Sequence, residues 1–315
     1  MLALILPFTA LPATFGPKSL VAFINGVLSN ANPSKASSAV DGNRRYLLPG
    51  LIDAHYHVQS CSELESMRQY DVTTALAMGT FPYASVTACR ALGLLDVRGS
   101  GAPGTVKATT ISHLPGVDYI KVFLDPMGPD DETLAMVGDA AYDAGKLVIT
   151  HAASYASYQQ VVIAKAEIPC HTPLDQVLDS STVASLLANK QTVVPTLIMM
   201  QSIVNNTYAP YPVYEVVAAR SIATIEAVEM PIIIRSNANI SPYTPANPEF
   251  VSPVDAIRGA TSLAAATFCL RGRAANKPGL RADLVLLADD PTLDMKNTLS
   301  IQRVRITGVE YDPSL

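Results

Sequence analysis

Short apolar runs alternate with segments of helical periodicity through the middle of the chain, the pattern of consecutive parallel β/α units. Read in order, the β-like runs are Leu48–His55, Val72–Met78, Leu94–Arg98, Asp118–Phe123, Leu147–His151, Glu167–His171, Thr192–Leu197 and Pro231–Asn237. Eight such strands are the number that closes a (β/α)8 barrel. Helical spacing follows several of them, over Tyr83–Leu92, Asp130–Ala144 and Ser180–Ala188. A further helix is expected over Val254–Phe268, where Ser252-Pro253 supplies a capping side chain and a proline at the first helical position.

The two ends read differently. Residues 20–28 place an Asn25-Gly26 turn between β-rich flanks, and the runs around Leu284 and Val304 also read as strands. The expected architecture is therefore α/β: a TIM-like barrel over residues 47–272, with a small β-sandwich domain built from residues 1–46 and 273–315. Between Arg98 and Asp118 no amphipathic helix is legible, because Gly99, Gly101, Pro103, Gly104, Pro115 and Gly116 interrupt the span. The third crossover is expected to be an irregular loop.

Composition narrows the function classes. The chain has 315 residues, 49% of them hydrophobic and 16% charged, which suits a buried barrel core wrapped by helices. Its net charge of −5, with no Lys/Arg cluster, argues against a nucleic-acid or anionic-membrane partner and for a small-molecule substrate. A homo-oligomer is compatible with this composition. No clean apolar stretch reaches the roughly 18 residues of a membrane span. The apolar start lacks a basic segment and is broken by Pro7 and Pro12, so a first strand is preferred to a cleaved leader. Cys61, Cys89, Cys170 and Cys269 are widely spaced with no Cys-x-x-Cys pair, so reduced thiols and a cytoplasmic setting are expected.

The candidate chemistry lies in the histidines. His55 and His57 are two residues apart at the end of an apolar run, and residues i and i+2 of a strand face the same way. Their imidazoles can therefore begin a metal site, although two partly exposed histidines at a strand end would show the same spacing. His151 and His171 also fall at C-terminal strand ends, where barrel active sites sit, and Lys121 falls near the end of the fourth run. The plain alternative for Lys121 is a strand-end lysine that snorkels to solvent. His113 lies outside these ends and reads as a loop histidine.

The segments "LLPGLIDAHYH", "DYIKVF", "THAASYASY", "CHTPLD", "VPTLIMM" and "PGLRADLVLLADDP" occur in an order that resembles the amidohydrolase superfamily, in its imidazolonepropionase-like and prolidase-like branch. The resemblance runs from about residue 20 to residue 311. It implies a binuclear site, most simply two zinc ions, with His55 and His57 on the more buried metal and His151 and His171 on the second. Lys121 would bridge them, carbamylated on its amine as in many relatives, because a carbamate offers two anionic oxygens where a free lysine offers none. The reaction implied is hydrolysis of amide or cyclic C–N bonds other than peptide bonds by metal-bound hydroxide.

The eighth run departs from that pattern. Relatives carry Gly-Thr-Asp there, the Asp serving as ligand and general base, whereas this chain reads Arg235-Ser236-Asn237. Asn237 is neutral and takes up no proton, and loss of a positioned base typically costs about 10²–10⁴-fold in rate. Arg235 would face the same way as Asn237, into the barrel, and Asp53 is its candidate partner. The proline-rich stretch after it, residues 241–250, is short for the family. The sequence thus points to a metal-dependent amidohydrolase weakened at Asn237. The alternatives are a catalytically impaired metal- or ligand-binding relative and a non-hydrolytic, decarboxylase-like member.

Overall fold

The computed structural model describes residues 2–10, 18–32, 36–80, 82–101, 116–125, 128–197, 199–200, 214–230, 232–233 and 252–311. The chain is a mixed α/β fold containing parallel sheets. Strands from both chain ends make one sheet: β1 (Leu2–Ala10), β2 (Lys18–Ile24), β3 (Val27–Ser29), β4 (Ser38–Asp41) and β5 (Tyr46–Pro49). They are joined there by the late strands β12 (Leu284–Leu287), β13 (Ile301–Ile306) and β14 (Val309–Tyr311). The order is β14-β13-β12-β5-β1-β2-β3, with β4 also paired to β1. The expected turn closes β2 onto β3, with Ile24 opposite Val27 and both Asn25 (φ 50°) and Gly26 (φ 79°) left-handed. That is the backbone a two-residue hairpin needs.

Parallel strands occupy the middle. One sheet holds β6 (Leu51–Tyr56), β7 (Val72–Ala77) and β8 (Asp96–Gly99); a second holds β9 (Ile120–Phe123), β10 (Val148–His151) and β11 (Ile168–Cys170). Asp118 donates its N–H to Gly99 O at 2.8 Å, which joins the end of β8 to the approach to β9. Parallel bridges then link Cys170 to Val194 and Val193 to Ile232. The expected strand regions therefore lie side by side in chain order, with Ile232 and Ile233 the described part of the eighth.

Several expectations are corrected. The run Leu48–His55 is two strands. Its start belongs to β5, which pairs antiparallel with β12, and its remainder is β6, which pairs parallel with β7. Gly50 sits at the junction because a Cβ there would lie 2.2 Å from Thr73 Oγ1. The helix expected over Val254–Phe268 is also divided, at Thr261 (φ −135°, ψ −99°), while Ala260 O accepts the N–H of Ile52 at 2.8 Å. Cys61 and Cys89, expected as thiols, form a disulfide with Cα atoms 5.0 Å apart. A sequence separation of 28 hides their meeting; both belong to an apolar cluster with Leu64 and Val86 that folding assembles. Cys170 and Cys269 remain free, as expected. The third crossover lies largely at residues 102–115, outside the described residues, as do His113, Arg235, Asn237 and the stretch 241–250.

The helices are α1 (Glu63–Gln69), α2 (Tyr83–Ala91), α3 (Asp131–Asp143), α4 (Tyr155–Ala164), α5 (Ser180–Ala188), α6 (Tyr214–Glu226), α7 (Pro253–Gly259) and α8 (Ser262–Thr267). Capping explains several starts. Asp130, Ser154, Asp179 and Ser252 each accept a backbone N–H three residues on. Leu134, Val137 and Ala141 of α3 pack with Val161 of α4 and Leu186 of α5 against Val122 and Val148 of the strands. A second apolar cluster holds Leu76, Met78, Tyr119, Ile149, Ile168, Cys170, Val194 and Ile233. Among the described residues, no helix is long and apolar enough to cross a membrane.

Candidate metal centre

The register of β9, β10 and β11 decides which side chains meet. Lys121 is level with Ile149, and Ile149 with Ile168; one row on, Phe123 is level with His151, and His151 with Cys170. Partners in a parallel pair project from the same face of the sheet. Lys121 therefore rises from the row beneath His151, and its long stem carries the amine up to that level. On β6, Asp53 and His55 alternate with Ile52 and Ala54, and His57 follows the strand end.

Four histidines come together at these C-terminal strand ends. The His55 ring lies 5.1 Å from that of His57 and 5.3 Å from that of His171, and His151 lies 4.2 Å from His171, centroid to centroid. Strand alternation alone would turn His171 away, since Cys170 already faces inward with His151. A left-handed backbone at His171 (φ 81°) swings its ring back. Its Nδ1 then lies 2.7 Å from Thr196 Oγ1, and Thr196 is itself left-handed (φ 53°). Two bulky residues held at positive φ store strain that the surroundings must offset, and such residues gather at functional sites. Tyr158 donates its hydroxyl to His171 O at 2.5 Å, and Phe123 stacks on the His151 ring at 4.3 Å.

The electrostatics keep three of the imidazoles, those of His57, His151 and His171, neutral. Burial, helped by the nearby Lys121 amine, pushes His57 down to about 4; the same two causes push His151 down to about 4, against the opposing pull of Asp125. Burial pushes His171 well below its ordinary value, with His151, Lys121 and His57 adding to it. Burial likewise pushes the Lys121 amine down, and the Cys170 thiol beside it restores part of the shift. Neutral imidazole is the form that donates a lone pair.

Three of these groups are poorly matched. His55 Nδ1 and His171 Nε2 are buried without a hydrogen-bond partner, and Lys121 Nζ has only the weakly accepting Cys170 thiol beside it, on residues only 1–2% exposed. Such groups are costly, about 1–3 kcal/mol each, and a native fold that keeps them calls for a reason. Their donor chemistry, neutral imidazole with an amine between, fits a divalent ion. Among the described residues no three His, Cys, Asp or Glu side chains are already drawn up tightly enough to hold one. Lysine lies outside that donor set, and the eighth-strand position lies outside the described residues.

Further residues complete the surroundings, of which Asp125 and Thr196 were not singled out from the sequence. Asp125 accepts the N–H of Ala153 and the Ser154 hydroxyl, each at 2.5 Å, and also the Ser157 hydroxyl. It thus anchors the turn that follows His151. Asp53 accepts the N–H of His55 at 3.1 Å; its proposed partner Arg235 lies outside the described residues. Thr196 sits within the quoted "VPTLIMM" segment and Cys170 begins "CHTPLD", but nothing in either segment tells which way the side chain faces.

No sequence family matches the chain, and no curated protein does. Solved structures do. An amidohydrolase structure superposes with a TM-score of 0.82 at 16% identity, over 99% of both chains. A Xaa-Pro dipeptidase with methionine bound in its active site gives 0.85 at 15% identity, over 99% of this chain and 100% of its own. The A. niger ochratoxinase gives 0.80 at 13%, over 98% of this chain and 95% of its own. The likeness spans whole chains: this chain carries the fold that these solved structures share.

Proposed function

We propose that the protein is a metal-dependent hydrolase of amide or other C–N bonds, with the centre held by His55, His57, Lys121, His151 and His171. The observation that carries this reading is the set of unmatched or weakly matched buried nitrogens at the C-terminal strand ends, His55 Nδ1, Lys121 Nζ and His171 Nε2. When bound, a pair of divalent ions, most simply zinc, would supply the charge that activates water and polarises a carbonyl. The chain's own part is to aim the donors. Thr196 holds His171 Nδ1 so that Nε2 faces the centre, Asp125 fixes the turn after His151, and Phe123 packs flat on the His151 ring. Carbamylation would turn the Lys121 amine from a weakly matched donor into a bridging acceptor. Small-molecule access would come over the strand ends, and the barrel would close through the eighth strand, with the terminal sheet as a small separate domain.

What the ochratoxinase and the Xaa-Pro dipeptidase act on belongs to those proteins; Asn237 makes any transfer to this chain conditional. Asn237 can hold a proton donor or offer a carbonyl oxygen but cannot act as base. A catalytically impaired metal-binding protein is the second reading, and this residue favours it. Metal analysis of the purified chain, with zinc and bicarbonate added, tests the centre: two ions per chain are expected, and fewer than one would end the binuclear reading. Asn237→Asp then tests the chemistry, with a gain of about 10²-fold or more in amide turnover expected if the base is the missing part. No gain with both ions bound would favour the binding protein. The Cys61–Cys89 disulfide favours an oxidising compartment over the cytoplasm expected from the sequence.

A further inference from the structure

His57 begins the loop that leads from β6 to α1, and the order of that loop converges on one covalent bond. Ser62 immediately precedes α1, yet its hydroxyl pairs with Ser60 Oγ at 2.8 Å and caps no backbone N–H of the helix. A helix of seven residues without a capping side chain is marginal by itself. Cys61 stands at that uncapped start, where its carbonyl accepts the Leu64 N–H at 3.2 Å, and its sulfur is bonded to Cys89 of α2. Glu63, the first residue of α1, accepts the Tyr56 hydroxyl and, at 3.3 Å, the Gln59 N–H, so it grips the chain on both sides of His57. Val58 is held separately, donating its N–H to Thr80 Oγ1 at 3.2 Å, which fixes the end of β6 and leaves the loop from Gln59 onward to these other ties. Gln59, Ser60 and Ser62 are exposed and Cys61 is half-buried, whereas Cys89 is 1% exposed in the apolar cluster with Leu64 and Val86.

We propose that Cys61–Cys89 is a redox-operated strap on the loop that follows His57. Closed, it restricts the loop and holds the start of α1, and with it the Glu63 grip. Opened, it frees residues 59–63 while the parallel strands stand. Opening is thiol–disulfide exchange with a dithiol reductant. A reductant thiolate attacks the half-buried Cys61 sulfur and forms a mixed disulfide; the Cys61–Cys89 bond breaks, and the Cys89 sulfur leaves with the bonding pair and takes up a proton. The second thiolate of the reductant then displaces Cys61, which takes up a proton in turn, and the reductant departs as its own disulfide. Two electrons and two protons thus pass to the cysteines. The strap stands whether or not a metal binds; its control of metal uptake rests on the metal-centre reading above.

The test follows amide hydrogen exchange of the full chain, metal-free, in three forms: oxidised, reduced with dithiothreitol, and as Cys61→Ser/Cys89→Ser. Thiols counted after acid quench and unfolding should rise from two to four on treatment of the folded protein. Exchange over residues 59–66 should quicken about 10-fold or more in the reduced protein and in the double variant, stay unchanged over β9, β10 and β11, and slow again when oxidised glutathione restores the bond. A folded protein that dithiothreitol leaves at two thiols overturns the strap. So does exchange over 59–66 that ignores reduction, or that quickens no more than the strands do. Zinc titration of the oxidised wild type and the double variant then separates this inference from the reading beneath it. Affinity about 10-fold or more weaker in the variant is expected, and equal affinity overturns control of the centre. Zinc bound by neither form ends the metal-centre reading, while the exchange result still decides the strap.

Discussion

Two regions of this molecule bury charge, and they treat it in opposite ways. Around the start of β8, Asp96 and Asp118 are ringed by arginines: Arg273 lies 2.5 Å from Asp96, Arg98 3.2 Å from Asp96 and 3.4 Å from Asp118, and Arg90 2.6 Å from Asp118. Burial pushes the Asp96 carboxyl up, and Arg273 and Arg98 more than offset it, holding the group below its ordinary value. At the strand ends His55, Lys121 and His171 lie deeper still, with polar atoms left unmatched. The first arrangement ties the central strands to the segment that leads into β12 and sets each carboxylate against guanidinium charge, although Arg273 Nε is left without a hydrogen bond. The second is stable only at a cost, and that cost is the physical argument for a ligand.

The comparison breaks most sharply at Asp96. Asp96→Ala should strand the nearly buried Arg273 guanidinium and lower stability by about 3–5 kcal/mol in urea unfolding, with metal uptake per folded chain unchanged. A loss below about 1 kcal/mol would mean that the network is ornamental.

Acid should separate the regions next. Below the ordinary histidine value near 6.5, the unfolded chain takes up protons that His57 and His151 refuse until about pH 4. Stability of the chelator-treated protein should therefore fall as pH falls from 6.5 to 4 and be fully present above 6.5, at up to about 1.4 kcal/mol per pH unit for each group. Thermal melts across that window check it; a slope unchanged in His57→Gln and His151→Gln would contradict the assignment.

The smallest effect is expected at Lys121. Lys121→Met removes a weakly matched amine while keeping much of its volume, so the metal-free protein should gain about 1–2 kcal/mol even as metal uptake falls. Destabilisation instead would show that the amine is well matched.

Much of the fold was legible because periodicity and capping are local. Ser180–Ala188 has the bounds expected of it, and the Ser252 cap lies where its side chain announced a helix. The misreadings came from contacts between distant segments. A continuous apolar run hid the change of sheet at Gly50, which is forced by the close approach of Thr73. The divided helix shows the same limit, since its backbone leaves the helical region at Thr261, beside an Ala260 carbonyl that accepts from Ile52. The disulfide joins the turn before α1 to α2, and no local pattern signals that meeting.

By itself, then, the sequence determined the succession of parallel strands and the placing of histidines and a lysine at their ends, because alternation and turn chemistry act over a few residues. Only the tertiary structure decided which of those groups face one another and which remain unmatched. The inward swing of His171, its hold by Thr196 and the approach of Cys170 to Lys121 depend on backbone conformation and strand register, and spacing along a chain does not encode register between strands.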